Sequence, residues 1–456
     1  MACWQASWRG CMNKYERYKK VELTWLEEVP EHWELGRIGR IFNLRKEKNN
    51  PIITQEVLSL SAKYGVSLYS EKKEKGGNKP KEDLRNYNVC YPGDILVNCM
   101  NIVAGSVGIS NYLGAVSPVY YPLVNQNFEQ FSTRYMEYVL RIYNFQRSLV
   151  GLGKGIQMSE SEDGRLFTVR MRISWDLLKT QLLLIPPLAE QEQIAAYLDW
   201  KINEIDRLIA VEKEKIEIFN SLFEKIISFN SSNMKEENIR KYIDIVRGNS
   251  TFTKDDLLSK GTYVALQYGK VYKVDTIDNN YNFYVNDEFY KTSQIVDRND
   301  IIAVYTSETI EDLGHFAFYD RDEKGLIGGE QLVIKPKEGI DPKYLFYCLK
   351  KNALLLRKAS TGIKVYRFKS NDLKSIKIPV VSLAEQKKIV ERIEKKLSIV
   401  KRNIDICNSI IGELNSFKQS LISEVVTGKI DVRNVAIPSY EKVGISVSTD
   451  EEEIEE

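Results

Sequence analysis

Two histidines, His32 and His315, are all the imidazole in this chain, and neither stands in a motif with a partner. Histidine-based proton transfer and histidine metal sites therefore have little to work with. The run Gly151-Leu152-Gly153-Lys154-Gly155 has the composition of a phosphate loop. It lacks the G-x-x-x-x-G-K-[S/T] spacing and follows a helical pattern rather than a strand. There is no G-x-S-x-G nucleophile elbow and no Asn-Pro-Pro-aromatic motif of the amino-methyltransferases. Asp320-Arg321-Asp322-Glu323-Lys324 holds residue types that nucleases use, but without strand context it reads as a solvated turn. Cys3, Cys11, Cys90, Cys99, Cys348 and Cys407 form no C-x-x-C pair and read as reduced thiols. The expectation is a chain that makes and breaks no covalent bonds, binds no cofactor or metal of its own, and works in the cytoplasm.

The residue types do support anion binding. From Leu349 to Asn371 there are seven bases and no acids: Lys350, Lys351, Arg357, Lys358, Lys364, Arg367 and Lys369, with Tyr366 and Phe368 interleaved. Lys and Arg presented from a helix end, a glycine turn and a strand suit a nucleic-acid backbone. A weaker counterpart lies in the first half: Arg147, Lys154, Gln157, Arg165, Arg170 and Arg172, with Lys72, Lys73, Lys75 and Lys79 in a nearby loop. Base edges are read mostly by Arg, Lys, Asn and Gln. The candidates of that kind are Asn98, Asn101, Gln157, Arg170, Thr306, Ser307, Lys364 and Arg367. Which of them touch bases and which touch phosphates is open at this level. The net charge of +2 is mild; the local patches, not the net charge, point to nucleic acid.

Positioning these residues falls to a duplicated plan. Leu188-Ala189-Glu190-Gln191 recurs as Leu383-Ala384-Glu385-Gln386, 195 residues later and without a gap. Leu178-Lys179 lies over Leu373-Lys374 at the same offset, and Asp94-Ile95-Leu96 resembles Asp300-Ile301-Ile302. So large a period marks a repeated domain, not a solenoid. Helices are expected over Ser132–Leu149 and Tyr344–Leu356. A long helix is expected after Pro187, where proline suits a first turn, and another after Ser382-x-x-Glu385, a capping-box spacing. The first long helix has the apolar seam Ile202, Ile205, Ile209, Ile216, Phe219, Phe223 and Ile226, with Glu212 in one slot. The second has Leu397, Val400, Ile404, Cys407, Ile411, Leu414, Leu421 and Val425, with Lys418 in one slot. Three-and-four spacing makes each a coiled-coil stripe, and a lone stripe needs covering. The two are expected to pair antiparallel. At about 40 residues each, they would run about 60 Å.

The fold class is therefore α+β: two related globular domains separated by a pair of long antiparallel coiled-coil helices. The expected divisions are 12–185 (first domain), 186–233 (first helix), 234–379 (second domain) and 380–428 (second helix). Residues 1–11 read as a disordered extension or an upstream-start artefact, and 429–456 as a disordered acidic tail, with six acids in its last seven residues. No apolar run reaches the ~18 residues of a membrane span.

Three stretches together resemble the specificity subunits of type I restriction–modification systems. They are Trp25-Leu26-Glu27-Glu28-Val29-Pro30-Glu31-His32-Trp33, the Ile185-Pro186-Pro187-Leu188-Ala189-Glu190-Gln191 junction with its second copy, and Leu421-Ile422-Ser423-Glu424-Val425-Val426-Thr427-Gly428-Lys429-Ile430-Asp431-Val432. Val380-Val381-Ser382 departs from the pattern by lacking the second proline. The resemblance implies two target-recognition domains, each reading half of a bipartite site in double-stranded DNA, and helices that set the gap. It also implies two modification (methyltransferase) subunits docked on the chain, with restriction (ATP-dependent motor and nuclease) subunits joining them. S-adenosylmethionine, ATP and Mg would then sit on the partners. Two other classes compete: a coiled-coil scaffold with two protein-binding domains, and a stand-alone DNA-modifying enzyme. Salt-sensitive DNA binding separates the first from the reading above; activity of the lone chain would mark the second.

Overall fold

A computed structural model describes residues 13–72, 79–153, 158–160, 166–168, 172–227, 234–310, 313–362 and 365–442. The chain divides into two compact units, Met1–Val211 with Ile410–Glu456, and Glu212–Ser409.

In the first unit, β1 (Glu34–Arg37) leads to β2 (Phe42–Leu44), β3 (Ile95–Asn98), β4 (Val107–Ile109) and β5 (Tyr120–Asn125). The sheet order is β2-β5-β3-β4, antiparallel throughout. The central strand β3 is buried along its whole length. Alternation sends Ile95 and Val97 to the main core with Phe42, Tyr135 and Val139, and Leu96 to a second cluster with Leu58, Leu60 and Val116. After α1 (Thr133–Arg141), β6 (Leu182–Ile185) pairs with β1 and delivers the chain into α2 (Leu188–Ile227).

The second unit repeats this order. It holds β7 (Glu236–Asn238), β8 (Ile243–Arg247), β9 (Ile301–Val304), β10 (Thr306–Ser307), β11 (Phe316–Tyr319), β12 (Gln331–Pro336), α3 (Pro342–Lys351), β13 (Tyr366–Arg367), β14 (Lys377–Pro379) and the first part of α4 (Leu383–Val426), whose residues from Ile410 on belong to the first unit. The sheet runs β8-β12-β9-β11 with the short strand Thr276–Ile277 added at its edge, and β7 pairs with β14 as β1 does with β6. The same alternation holds: Ile301 and Ala303 enter one cluster, Ile302 the other. The duplication read from the sequence is thus a duplication of strand order and of core.

Both domain helices are shorter than their apolar spacing suggests. The expected Ser132–Leu149 helix is two, Thr133–Arg141 and Tyr143–Ser148, parted by an extended Ile142 (ψ 138°). Its counterpart breaks at Asn352 into Pro342–Lys351 and Ala353–Lys358. Apolar spacing continued across both breaks, which is why the sequence hid them.

The long helices pair antiparallel. The first unit's core joins Ile205 and Ile209 of α2 to Leu421 and Val425 of α4. The second unit's core joins Phe223 and Ile226 to Ile393 and Leu397. Every seam residue is buried or half-buried, while Leu208, Ile218, Ile399 and Ile406 stay outside. The two polar seam positions differ. Lys418 reaches Asp206 across the pair at 2.6 Å. Glu212 bonds Lys215 of its own helix at 2.7 Å and lies against the Cys407 thiol.

One expectation is overturned. The chain beyond Gly428 is not a free tail from its start: Ile430 and Val432 are buried in the first unit's core. Asp431 N–H donates to Asn13 O at 2.8 Å. The Gln193 amide holds the carbonyls of Val432 and Val435 at 3.0 and 2.7 Å. Polar spacing concealed a short apolar alternation, Ile430 and Val432. Residues 1–12 and 443–456 lie outside the described residues.

Candidate nucleic-acid interface

What ties each domain to its long helix is the glutamine of the repeated motif. Gln191 and Gln386 are buried, at 0% and 2% exposure. Gln191 Oε1 accepts the Ser132 N–H at 2.9 Å, and its amide donates to Pro186 O at 2.7 Å. Gln386 Oε1 accepts the Asp341 N–H at 2.7 Å, and its amide donates to Val381 O at 2.9 Å. Ser132 and Asp341 are themselves the N-caps of α1 and α3. One side chain thus joins the end of the sheet, the domain helix and the spacer helix, twice. The neighbouring glutamates have diverged. Glu190 is buried and accepts from Tyr15 Oη, Trp33 Nε1 and His32 Nε2 at 2.5, 2.8 and 2.7 Å. Glu385 is partly exposed and faces Arg392 of its own helix.

The turns that lead into the central strands are shaped by a matched aspartate. Asp94 and Asp300 are buried at 4% and 5%. Each accepts the backbone N–H three residues earlier, Tyr91 at 3.0 Å and Asp297 at 2.9 Å. Each also bonds one cation from a neighbouring stretch, Arg45 at 2.8 Å and Lys335 at 2.7 Å. Burial raises the pKa of the Asp300 carboxyl, against the pull of Lys335.

The candidate contact residues separate by placement. Lys79, Arg172, Lys358, Arg367 and Lys369 are exposed. Lys72, Asn101, Lys351 and Tyr366 are half-buried, Lys72 with its ammonium over the Tyr69 ring. Lys350 does not project: it bonds Asp275 at 2.6 Å with Phe223 and Phe346 around it. Arg357 donates Nε–H to Leu313 O at 3.1 Å. Asn98, Thr306 and Ser307 are buried, and each side chain is bonded within the protein. Asn98 Oδ1 takes the Met100 N–H, Thr306 Oγ1 takes Arg367 Nε–H, and Ser307 Oγ takes the Thr309 N–H. Thr306 and Ser307 shape the loop that the exposed Arg367 leans on. Lys73, Lys75, Lys154, Gln157, Arg165, Arg170 and Lys364 lie outside the described residues.

Around Arg367 the structure gathers residues that spacing did not flag. Arg247 Nε–H donates to Tyr305 Oη at 2.8 Å, with its guanidinium 5.3 Å from that ring. Arg367 sits 5.9 Å from the same ring and bonds Glu330 at 3.2 Å. The one available signal was Gly328-Gly329-Glu330, a tight turn before β12. The Asp320–Lys324 cluster is not a fully solvated turn. Arg321 is 4% exposed, donates to Tyr281 O at 2.7 Å and to Tyr284 Oη at 2.9 Å, and pairs with Glu323. Among the described residues no group of His, Cys, Asp and Glu is placed to hold a metal ion, and no helix is long and apolar enough to cross a membrane.

Residues 232–416 match the family model of the type I restriction modification DNA specificity domain. The chain is 24% identical over 451 residues to a provisionally named type I restriction enzyme MjaX specificity subunit of Methanocaldococcus jannaschii, covering 92% of this chain and 98% of that one. It is 24% identical over 456 residues to the type I restriction enzyme MjaVIII specificity subunit of the same organism, again over 92% and 98%. A chain from a solved structure on complex assembly and conformational transition of the type I R-M system has the same fold. The TM-score is 0.65 and the identity 13%, over 88% of this chain and 99% of that one.

Proposed function

We infer that this chain belongs to the specificity subunits of type I restriction–modification systems, and that it selects a DNA site for partner enzymes to act on. The carrying observation is the duplicated unit. Each copy holds the same sheet, the same glutamine junction and a solvent-facing arginine at a matched place, on helices that pair antiparallel. Two related but diverged readers suit a site of two different halves. The family match covers residues 232–416, the second globular domain and most of α4 but none of α2; the first unit's kinship follows from the shared strand order and the 195-residue offset.

In this reading Lys79, Lys358 and Lys369 contact DNA phosphates, and the loops after β3 and β9 face base edges. The paired helices space the readers and dock two modification subunits. Exposed apolar residues off the seam, such as Leu208 on α2 and Ile399 on α4, are available to them. Restriction subunits join that core. S-adenosylmethionine, ATP and Mg are carried by those partners, in the cytoplasm, and this chain contributes no catalytic group.

The test is DNA affinity, measured by fluorescence anisotropy on the chain with its modification subunit across a salt series. Phosphate contacts make the logarithm of the binding constant fall linearly with the logarithm of salt, by about 0.9 per contact. Lys358→Ala and Lys369→Ala should each flatten the slope by about one. Salt-independent binding, or no DNA binding beside tight binding to a protein, would instead favour the scaffold reading.

A further inference from the structure

We propose that Arg172 and Arg367 are equivalent base-reading arginines, one per unit, each contacting the O6/N7 edge of a guanine in its own half of the DNA site. The inference rests on the DNA-specificity reading above and assigns its discriminating residues.

The equivalence is on the backbone. The two positions are 195 apart, the offset of the Leu-Ala-Glu-Gln stretch. The residue after each arginine bonds the loop that leaves the central strand. Ile173 N–H donates to Cys99 O at 3.0 Å, and Phe368 N–H donates to Tyr305 O at 3.2 Å. Ile173 and Phe368 are buried, at 0% and 1%, so each arginine stands next to a fixed anchor and is itself exposed.

Arg367 is oriented as well as placed. Its Nε–H donates to Thr306 Oγ1 at 3.1 Å, and one Nη2–H points to Glu330 Oε2 at 3.2 Å. Those bonds use the inner edge of the guanidinium. One Nη1 hydrogen and the second Nη2 hydrogen lie along the outer edge, a two-pronged donor matching the paired acceptors of guanine. The charge balance favours a base over a phosphate. Glu330 offsets the positive charge, which weakens a purely Coulombic contact but leaves the fork's hydrogen bonds intact. Glu330 is held for this in the left-handed region, at φ 62°, which is costly for a residue with a side chain. In the first unit the Tyr121 hydroxyl, and after it Cys99, raise the Arg172 pKa. The holding groups have diverged while the arginine has not moved.

The experiment sequences methylated sites in a host making this chain with its modification subunit. The variants are Arg172→Ala, Arg367→Ala, Arg367→Lys and Glu330→Gln, each checked by melting. Affinities for single-position DNA variants are measured alongside. Arg367→Ala should relax one guanine position in one half of the motif only, and Arg172→Ala one in the other half only. Discrimination there should fall about 10- to 100-fold. Arg367→Lys keeps the charge but not the fork, and should relax the same position. Glu330→Gln should lower discrimination there without abolishing it. An unchanged motif in both alanine variants overturns the proposal. So does full discrimination by Arg367→Lys, or a loss uniform over all sequences with a salt slope flatter by about one, which marks a phosphate contact. A wild-type complex with no sequence-specific methylation removes the specificity reading itself, an outcome distinct from these.

Discussion

At the residue scale, the most consequential side chains are ones whose role is visible only in contacts. Gln191 and Gln386 are legible as a repeated motif, but sequence alone could not say that each closes a three-way junction. Gln191→Met keeps the shape and removes bonds to Ser132 N–H, Gln130 O and Pro186 O. Leaving those groups unpaired should cost about 3 kcal/mol, read from the shift of a denaturant melt; a loss below about 1 kcal/mol would mean that water replaces the amide. Asp431 gives a pH prediction. Burial works against its carboxylate, but the Arg433 guanidinium and backbone N–H prevail and hold its pKa below the ordinary value. A carboxyl lowered on folding stabilises above its unfolded pKa, near 4, and that contribution is lost as pH falls toward the lowered value. Asp431→Asn should therefore flatten the acid limb of stability below about pH 4 and leave its shape near pH 7 unchanged. An identical acid limb would contradict this. The candidate contact residues were legible only as composition: a run of bases signals a patch, yet Lys350 turns inward to Asp275 while Arg367 faces out.

At the element scale, the long helices were the most legible feature, because a 3.5-residue seam is a direct image of its contact surface. Phase and pairing follow from Ile205, Ile209, Val400 and Cys407, all buried. The polar exceptions were visible, but their partners were not, since Lys418 bonds a residue 212 positions away. Both ends of that pair keep solvent contact, so a double-mutant cycle of Asp206→Ala and Lys418→Ala should give a coupling of only about 0.5 kcal/mol. Glu212 is different: its side chain is 12% exposed in an apolar seam. Glu212→Leu should raise stability by about 1 kcal/mol, measured by thermal melting. A loss would mean that Glu212 holds the register. The domain helices were less legible because Ile142 and Asn352 break the backbone while the apolar pattern runs on.

At the scale of the whole molecule, the account is of a divided reader. Duplication was legible because the junction motif kept its residues. The strand order was not, because short strands such as Ile95–Asn98 are buried on both faces and carry no polar alternation. The stretch after the second long helix, Lys429–Val435, escaped because two apolar residues among charges look like tail, yet it packs beside Asn13 and Tyr15. The central claim is that paired helices set the gap between two half-sites. Deleting one heptad from each helix, at paired positions, shortens the pair by about 10 Å, close to three base pairs of duplex at about 3.4 Å each. Methylated-site sequencing of the wild type should return a bipartite motif with a fixed gap. The shortened chain should return the same two halves with a gap reduced by about three base pairs. A continuous motif, or an unchanged gap in a folded shortened chain, would contradict the account.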